Sequence, residues 1–210
     1  GFFGMINSAV LSAVTSVLVY FTNLWASVAT KVKFCELNWK KTPLITGRKS
    51  SLPAAKIVFD IAVAKILDGI IRGDPNGVIL MSTNKPFCKS QVKRMVKLMG
   101  EQNFRRLLFY PSLNNLSYMN LIRLTDVILD PYPFGGCNTS FEAFDYNIPV
   151  VTMPTKYLNG WFTFGMYKKM GFIDMIADTP QTYIKLAVKT ATDKAWRQSV
   201  VEKINKNKHL

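Results

Sequence analysis

From Asp126 to Glu142 the chain reads Asp-Val-Ile-Leu-Asp-Pro-Tyr-Pro-Phe-Gly-Gly-Cys-Asn-Thr-Ser-Phe-Glu. Gly135 and Gly136 let backbone approach a ligand closely. Asn138, Thr139 and Ser140 are residue types that open helices. An apolar strand running through such a loop into a helix aims several free N–H groups at one point, a geometry that suits phosphate. Glu142 follows one turn into the helix, where its carboxylate can accept a sugar hydroxyl. The Thr139-x-x-Glu142 spacing equally fits a capping box, in which Glu142 is structural.

The other candidates are weighed the same way. Lys56 heads a helical pattern and either meets a phosphate or faces solvent. Cys137 precedes a helix start, which lowers a thiol pKa, but it also reads as a small packing residue. Asp126 reads as a local cap, whereas Asp130 ends a strand beside the proposed cleft. Trp161, Phe162 and Phe164 form an aromatic cluster that either stacks on a base or sugar or packs in the core. The single histidine, His209, excludes Ser-His-Asp and Cys-His chemistry within this chain. Cys35, Cys88 and Cys137 form no C-x-x-C pair, so free thiols in a reducing compartment are expected and no metal site is.

These residues need a scaffold. Val78–Ser82, Leu107–Tyr110, Val127–Leu129 and Val150–Met153 are short apolar runs and read as buried strands. Helical patterns fall between and after them, at 57–72, 90–99, 115–124, 139–146, 163–170, 179–193 and 196–205. The alternation predicts an α/β fold, a Rossmann-like parallel sheet with helices on both faces. Ligands of such sheets bind beyond the carboxyl ends of the strands, where Asp130–Asn138 falls. Residues 35–56, with Pro43, Gly47 and Pro53, read as a linker and entry segment, and 57–210 as the Rossmann-like domain.

Residues 1–34 read differently. The first 30 carry no charge, and Ala9 to Trp25 approaches the length of a membrane span while being diluted by Ser12, Thr15, Ser16, Thr22 and Asn23. The expectation is an apolar N-terminal helix that either packs on protein or contacts a membrane through residues 9–25. A start at Gly1 suggests a fragment or processed product. The 27 basic and 13 acidic residues give a formal net charge of +14, which favours anionic partners. The basic residues are scattered, however, and no nucleic-acid-binding motif accompanies them.

Five segments carry a resemblance to a known family: Tyr110-Pro-Ser-Leu113, Thr125 to Ala143, Ile148 to Pro154, Tyr167-Lys-Lys-Met-Gly171 and Ala195-Trp-Arg197. In that order they resemble the C-terminal half of the O-linked N-acetylglucosamine transferase/SPINDLY-like glycosyltransferases, from about Ile66 to about Asn205. The resemblance implies a GT-B fold, whose donor-binding half this chain supplies. It also implies an intracellular, cytoplasmic enzyme that transfers sugar with inversion from a UDP- or GDP-sugar to protein Ser/Thr. Gly136, Cys137, Asn138 and Thr139 then hold the donor diphosphate, Glu142 matches the ribose-binding acid, and Lys56 is a candidate phosphate-binding lysine. Metal independence is expected, no catalytic base can be named, and no nucleic-acid partner is implied. Cys137 stands where the family has His or Gly, and Trp161 where many members have Arg. The family's N-terminal half and repeats have no counterpart here, which leaves open a non-catalytic fragment, tethered or not, and, from charge alone, a nucleic-acid-binding protein.

Overall fold

The computed structural model describes residues 18–21, 53–82, 89–110, 113–133 and 135–209. Five strands form one sheet, β1 (Leu18–Phe21), β2 (Val78–Ser82), β3 (Leu107–Tyr110), β4 (Val127–Leu129) and β5 (Val150–Val151), in the order β3-β2-β1-β4-β5. The pairs β2–β3 and β4–β5 are parallel, as their apolar runs predicted. β1 is antiparallel to both β2 and β4. This corrects two expectations for those four residues: they are strand rather than helix, and the sheet is mixed rather than all-parallel. The local sequence Leu-Val-Tyr-Phe suits a pleated surface, and a short apolar run does not reveal its period. The remainder of the 1–34 segment, and with it the membrane reading of residues 9–25, lies outside the described residues. Among the described residues no helix is long and apolar enough to cross a membrane.

The helices are α1 (Pro53–Gly73), α2 (Lys89–Met99), the single turn α3 (Glu101–Phe104), α4 (Asn115–Ile122), α5 (Asn138–Asp145), α6 (Phe162–Lys169), α7 (Pro180–Thr192) and α8 (Lys194–Asn207). Strand alternation shows that both faces of the sheet are covered. Ile79, Met81 and Leu107 enter the main core with Leu67, Ile70 and Ile71 of α1, whereas Leu80, Leu108 and Tyr110 meet Tyr118 and Leu121 of α4 on the other side. α1 packs against α2 and α7, and α7 also touches β4 and β5. The parallel strands are therefore sandwiched between helices, which explains why β4 is buried at all three positions.

Two family-like segments prove to be scaffold. Tyr167 is wholly buried, and its hydroxyl both donates to the Val150 carbonyl and accepts from the Val150 N–H, each at 2.9 Å. The phenol thus satisfies backbone groups of the short strand β5. Gly171 closes α6 at φ 78°, with its N–H bonded to Lys168 O and that of Phe172 to Tyr167 O, a Schellman turn that favours glycine. The Ala195-Trp-Arg197 segment joins α7 to α8. Arg197 Nη1 donates to Thr190 O and Ala191 O at 2.8 and 2.7 Å, and Nη2 pairs with Asp126 at 3.1 Å. A cation on the last carbonyls of α7 opposes the helix dipole, and Asp126 serves that pair.

Candidate functional site

The site is built on the sheet at the carboxyl end of β4. Asp130 follows β4 directly, and its own N–H bonds to Val151 O of β5 at 2.9 Å. The chain then turns through Pro131 and the cis Tyr132–Pro133 bond to reach Gly135, Gly136 and the start of α5. Cys137 is the N-cap residue, with φ −121° and ψ −78°, and makes no side-chain cap bond. Ser140 N and Phe141 N both turn back to Cys137 O at 3.2 Å. The N–H groups of Cys137, Asn138 and Thr139 find no acceptor among the described residues. Three donors and the positive end of the helix dipole thus converge ahead of α5.

Three elements hold this loop. Asp130, only 4 % exposed, accepts the Gly136 N–H at Oδ1 and the Thr152 hydroxyl at Oδ2, the latter at 2.6 Å. Tyr183 of α7 donates to the Asp130 carbonyl at 2.9 Å. From the α6 side, the fully buried Thr163 lies 2.8 Å from Ser140 Oγ and donates to Gly136 O at 3.3 Å. A Cβ on Gly136 would collide with Thr139 Oγ1 and stand 3.0 Å from Ser140 Oγ, so any larger residue there has to displace the Thr139 hydroxyl. Burial pushes the Asp130 carboxyl above its ordinary range, opposed by hydrogen bonds from Thr152, Gly136 N–H and Thr163.

Glu142 lies on α5 four residues beyond Asn138, half-buried, and the same face of the helix carries both. Its pKa is raised by burial first and by the Asp145 carboxylate second. The capping-box alternative fails on geometry: Cys137 is the N-cap, Thr139 is already inside the helix, and Glu142 makes no reciprocal bond. Its carboxylate has no hydrogen-bond partner among the described residues and is available to a ligand. The Tyr118 hydroxyl of α4 is buried without a partner among the described residues, and burial, then Tyr110 and the Glu142 carboxylate, raise its pKa.

The structure therefore brings Gly136, Cys137, Asn138, Thr139 and Glu142 together. Cys137 is a half-buried free thiol. Lys56 lies in the first turn of α1, and its side chain lies outside the described residues. The aromatic cluster is split: Trp161 stacks edge-on to Phe164 with centroids 4.9 Å apart and donates through Nε1 to Thr155 O, yet Trp161 and Phe162 remain exposed. Sequence reasoning missed Thr152, Thr163 and Tyr118. Common residue types arriving from separate elements carry no local signal. The Phe162-Thr163-Phe164 context was noted only for its aromatics.

The strand–loop–helix cradle lies at the carboxyl end of a doubly covered α/β sheet, where ligands of such sheets bind. The model of glycosyl transferase family 41 matches residues 35–210, and the chain belongs to that family. The match begins well before Ile66, where the resemblance was first legible. A relative from Solanum lycopersicum named "Probable UDP-N-acetylglucosamine--peptide N-acetylglucosaminyltransferase SPINDLY" is 25 % identical over 135 residues, 62 % of this chain and 14 % of its own length. The protein of the same name from Arabidopsis thaliana is also 25 % identical over 135 residues, with 15 % of its length covered. A solved structure of a mutant O-GlcNAc transferase from Thermobaculum terrenum superposes with a TM-score of 0.60 at 24 % identity, over 73 % of this chain and 29 % of that one. The chain thus spans a small part of the relatives it matches.

Proposed function

We propose that this chain is the donor-binding part of a protein O-glycosyltransferase of the O-GlcNAc transferase/SPINDLY kind. The observation that carries the reading is the set of free N–H groups at Cys137, Asn138 and Thr139, fixed by Asp130, Gly136 and Thr163, with the unpaired Glu142 carboxylate one turn away. In this reading Gly136, Cys137, Asn138 and Thr139 hold the diphosphate and Glu142 accepts a ribose hydroxyl. Lys56 is kept as a second phosphate contact. The donor is a UDP- or GDP-sugar and the acceptor a Ser/Thr hydroxyl of a protein; the name that the SPINDLY relatives carry favours UDP-N-acetylglucosamine. The acceptor oxygen attacks the anomeric carbon with inversion, the bond from that carbon to the diphosphate oxygen breaks, and the charge left on the diphosphate falls on the cradle's N–H groups and the helix dipole. The base that removes the acceptor proton is not assigned to this chain.

Thermal unfolding with UDP and with GDP tests the reading. One nucleotide at about 100 times its Kd should stabilise the protein by about 2.7 kcal/mol. Glu142→Ala should weaken that nucleotide by about 1.5–3 kcal/mol, the cost of losing a hydrogen bond to a charged group. No shift with either nucleotide contradicts the reading.

A further inference from the structure

We infer that Asp130 is the positioning residue of the donor cradle: its buried carboxylate fixes the Gly136 N–H, and through it the direction in which the N–H groups of Cys137, Asn138 and Thr139 point. The inference rests on the donor-site reading above, and assigns to Asp130 a role that is distinct from contact with the ligand.

The geometry is that of a carboxylate used as a two-sided clamp. Oδ1 takes the Gly136 N–H and Oδ2 takes the Thr152 hydroxyl at 2.6 Å, so the carboxylate plane is set by Thr152, directly after β5, on one side and sets the loop on the other. Its backbone is pinned as well, by its N–H to Val151 O and by Tyr183 Oη to its carbonyl. A residue tied at four points cannot yield when the loop moves. Gly136 is in turn enclosed: its carbonyl accepts from Thr163, and its Cα faces Thr139 and Ser140 so closely that a side chain would have to displace the Thr139 hydroxyl. The Gly136 peptide is thus held at both its N–H and its carbonyl, immediately before the three N–H groups of the cradle.

Stability alone does not account for the residue. Among the described residues no cation pairs with the carboxylate, and its neighbours are the neutral hydroxyls of Thr152 and Thr163 and the phenols of Tyr167 and Tyr183. Burying an unpaired charge is costly unless hydrogen bonds offset it. Here one of the carboxylate's hydrogen bonds goes to the loop that opens the site. Small displacements of positioning groups cost much in affinity and rate, up to about a hundred-fold for about 1 Å. That is the scale on which a clamp of this kind acts.

The test compares Asp130→Ala, which removes the acceptor, with Asp130→Asn, which keeps one oxygen for Gly136, and with Thr152→Val, which frees the carboxylate's far side. Two readouts are taken on the full chain: amide hydrogen exchange at residues 136–139 without ligand, and calorimetric Kd for UDP and GDP. Asp130→Ala should speed exchange at these amides at least about ten-fold and weaken the bound nucleotide by about ten- to a hundred-fold. Asp130→Asn should restore both to within about three-fold, with Thr152→Val between them and informative even if Asp130→Ala does not fold. Loop exchange and Kd unchanged in folded Asp130→Ala, or in Thr152→Val where Asp130→Ala does not fold, overturn the inference. Wild-type protein that binds neither nucleotide overturns the donor reading instead, and the exchange data then decide the clamp alone.

Discussion

Asp130 shows what a single side chain does in this site. Its carboxyl is held above the ordinary aspartate range because burial outweighs the hydrogen bonds from Thr152, Gly136 and Thr163. The linkage has a definite sign. A raised folded-state pKa contributes stability that is present below the unfolded value and is lost as pH rises through the folded value. Asp130→Asn does not titrate, so its melting temperature relative to wild type should rise as the pH is taken from below the unfolded aspartate value to neutrality. Paired thermal melts check this, and a gap that moves the other way contradicts the clamp's ionisation as described. Glu142 illustrates the opposite lesson. Its sequence spacing left two roles open, and the backbone removes one of them, the capping box, by placing the N-cap at Cys137 rather than Thr139.

At the scale of elements, the parallel strands and most helices were legible because their signals are local. Val78–Ser82, Leu107–Tyr110 and Val127–Leu129 are continuous apolar runs, and each is the strand it promised to be. β5 is shorter than its apolar run, since Thr152 leaves the ladder for an isolated bridge to Ile176 and turns its hydroxyl toward Asp130. β1 was not legible, because four apolar residues inside a longer apolar run give no period to read. The partners Thr152 and Thr163 were hidden for a related reason: they reach the loop from 22 and 27 residues away through the fold. The short strand β5 depends on a side chain from α6. Tyr167→Phe leaves the Val150 N–H and carbonyl without that partner, and should lower stability by about 1–3 kcal/mol in chemical denaturation. A loss below a few tenths would mean that the strand is held otherwise.

For the whole molecule, the family match covers residues 35–210 and the superposition on an O-GlcNAc transferase shows a shared fold; within that fold the loop before α5 follows the carboxyl end of β4. The proposed function makes a local demand: a nucleotide diphosphate binds at the start of α5. Backbone amide resonances followed during titration with UDP, and separately with GDP, test it most directly. One nucleotide should move Gly136, Cys137, Asn138 and Thr139 most, in a saturable way, and Glu142→Ala should weaken the titration without moving its location. Saturable shifts centred on another part of the chain, or none with either nucleotide, would contradict it.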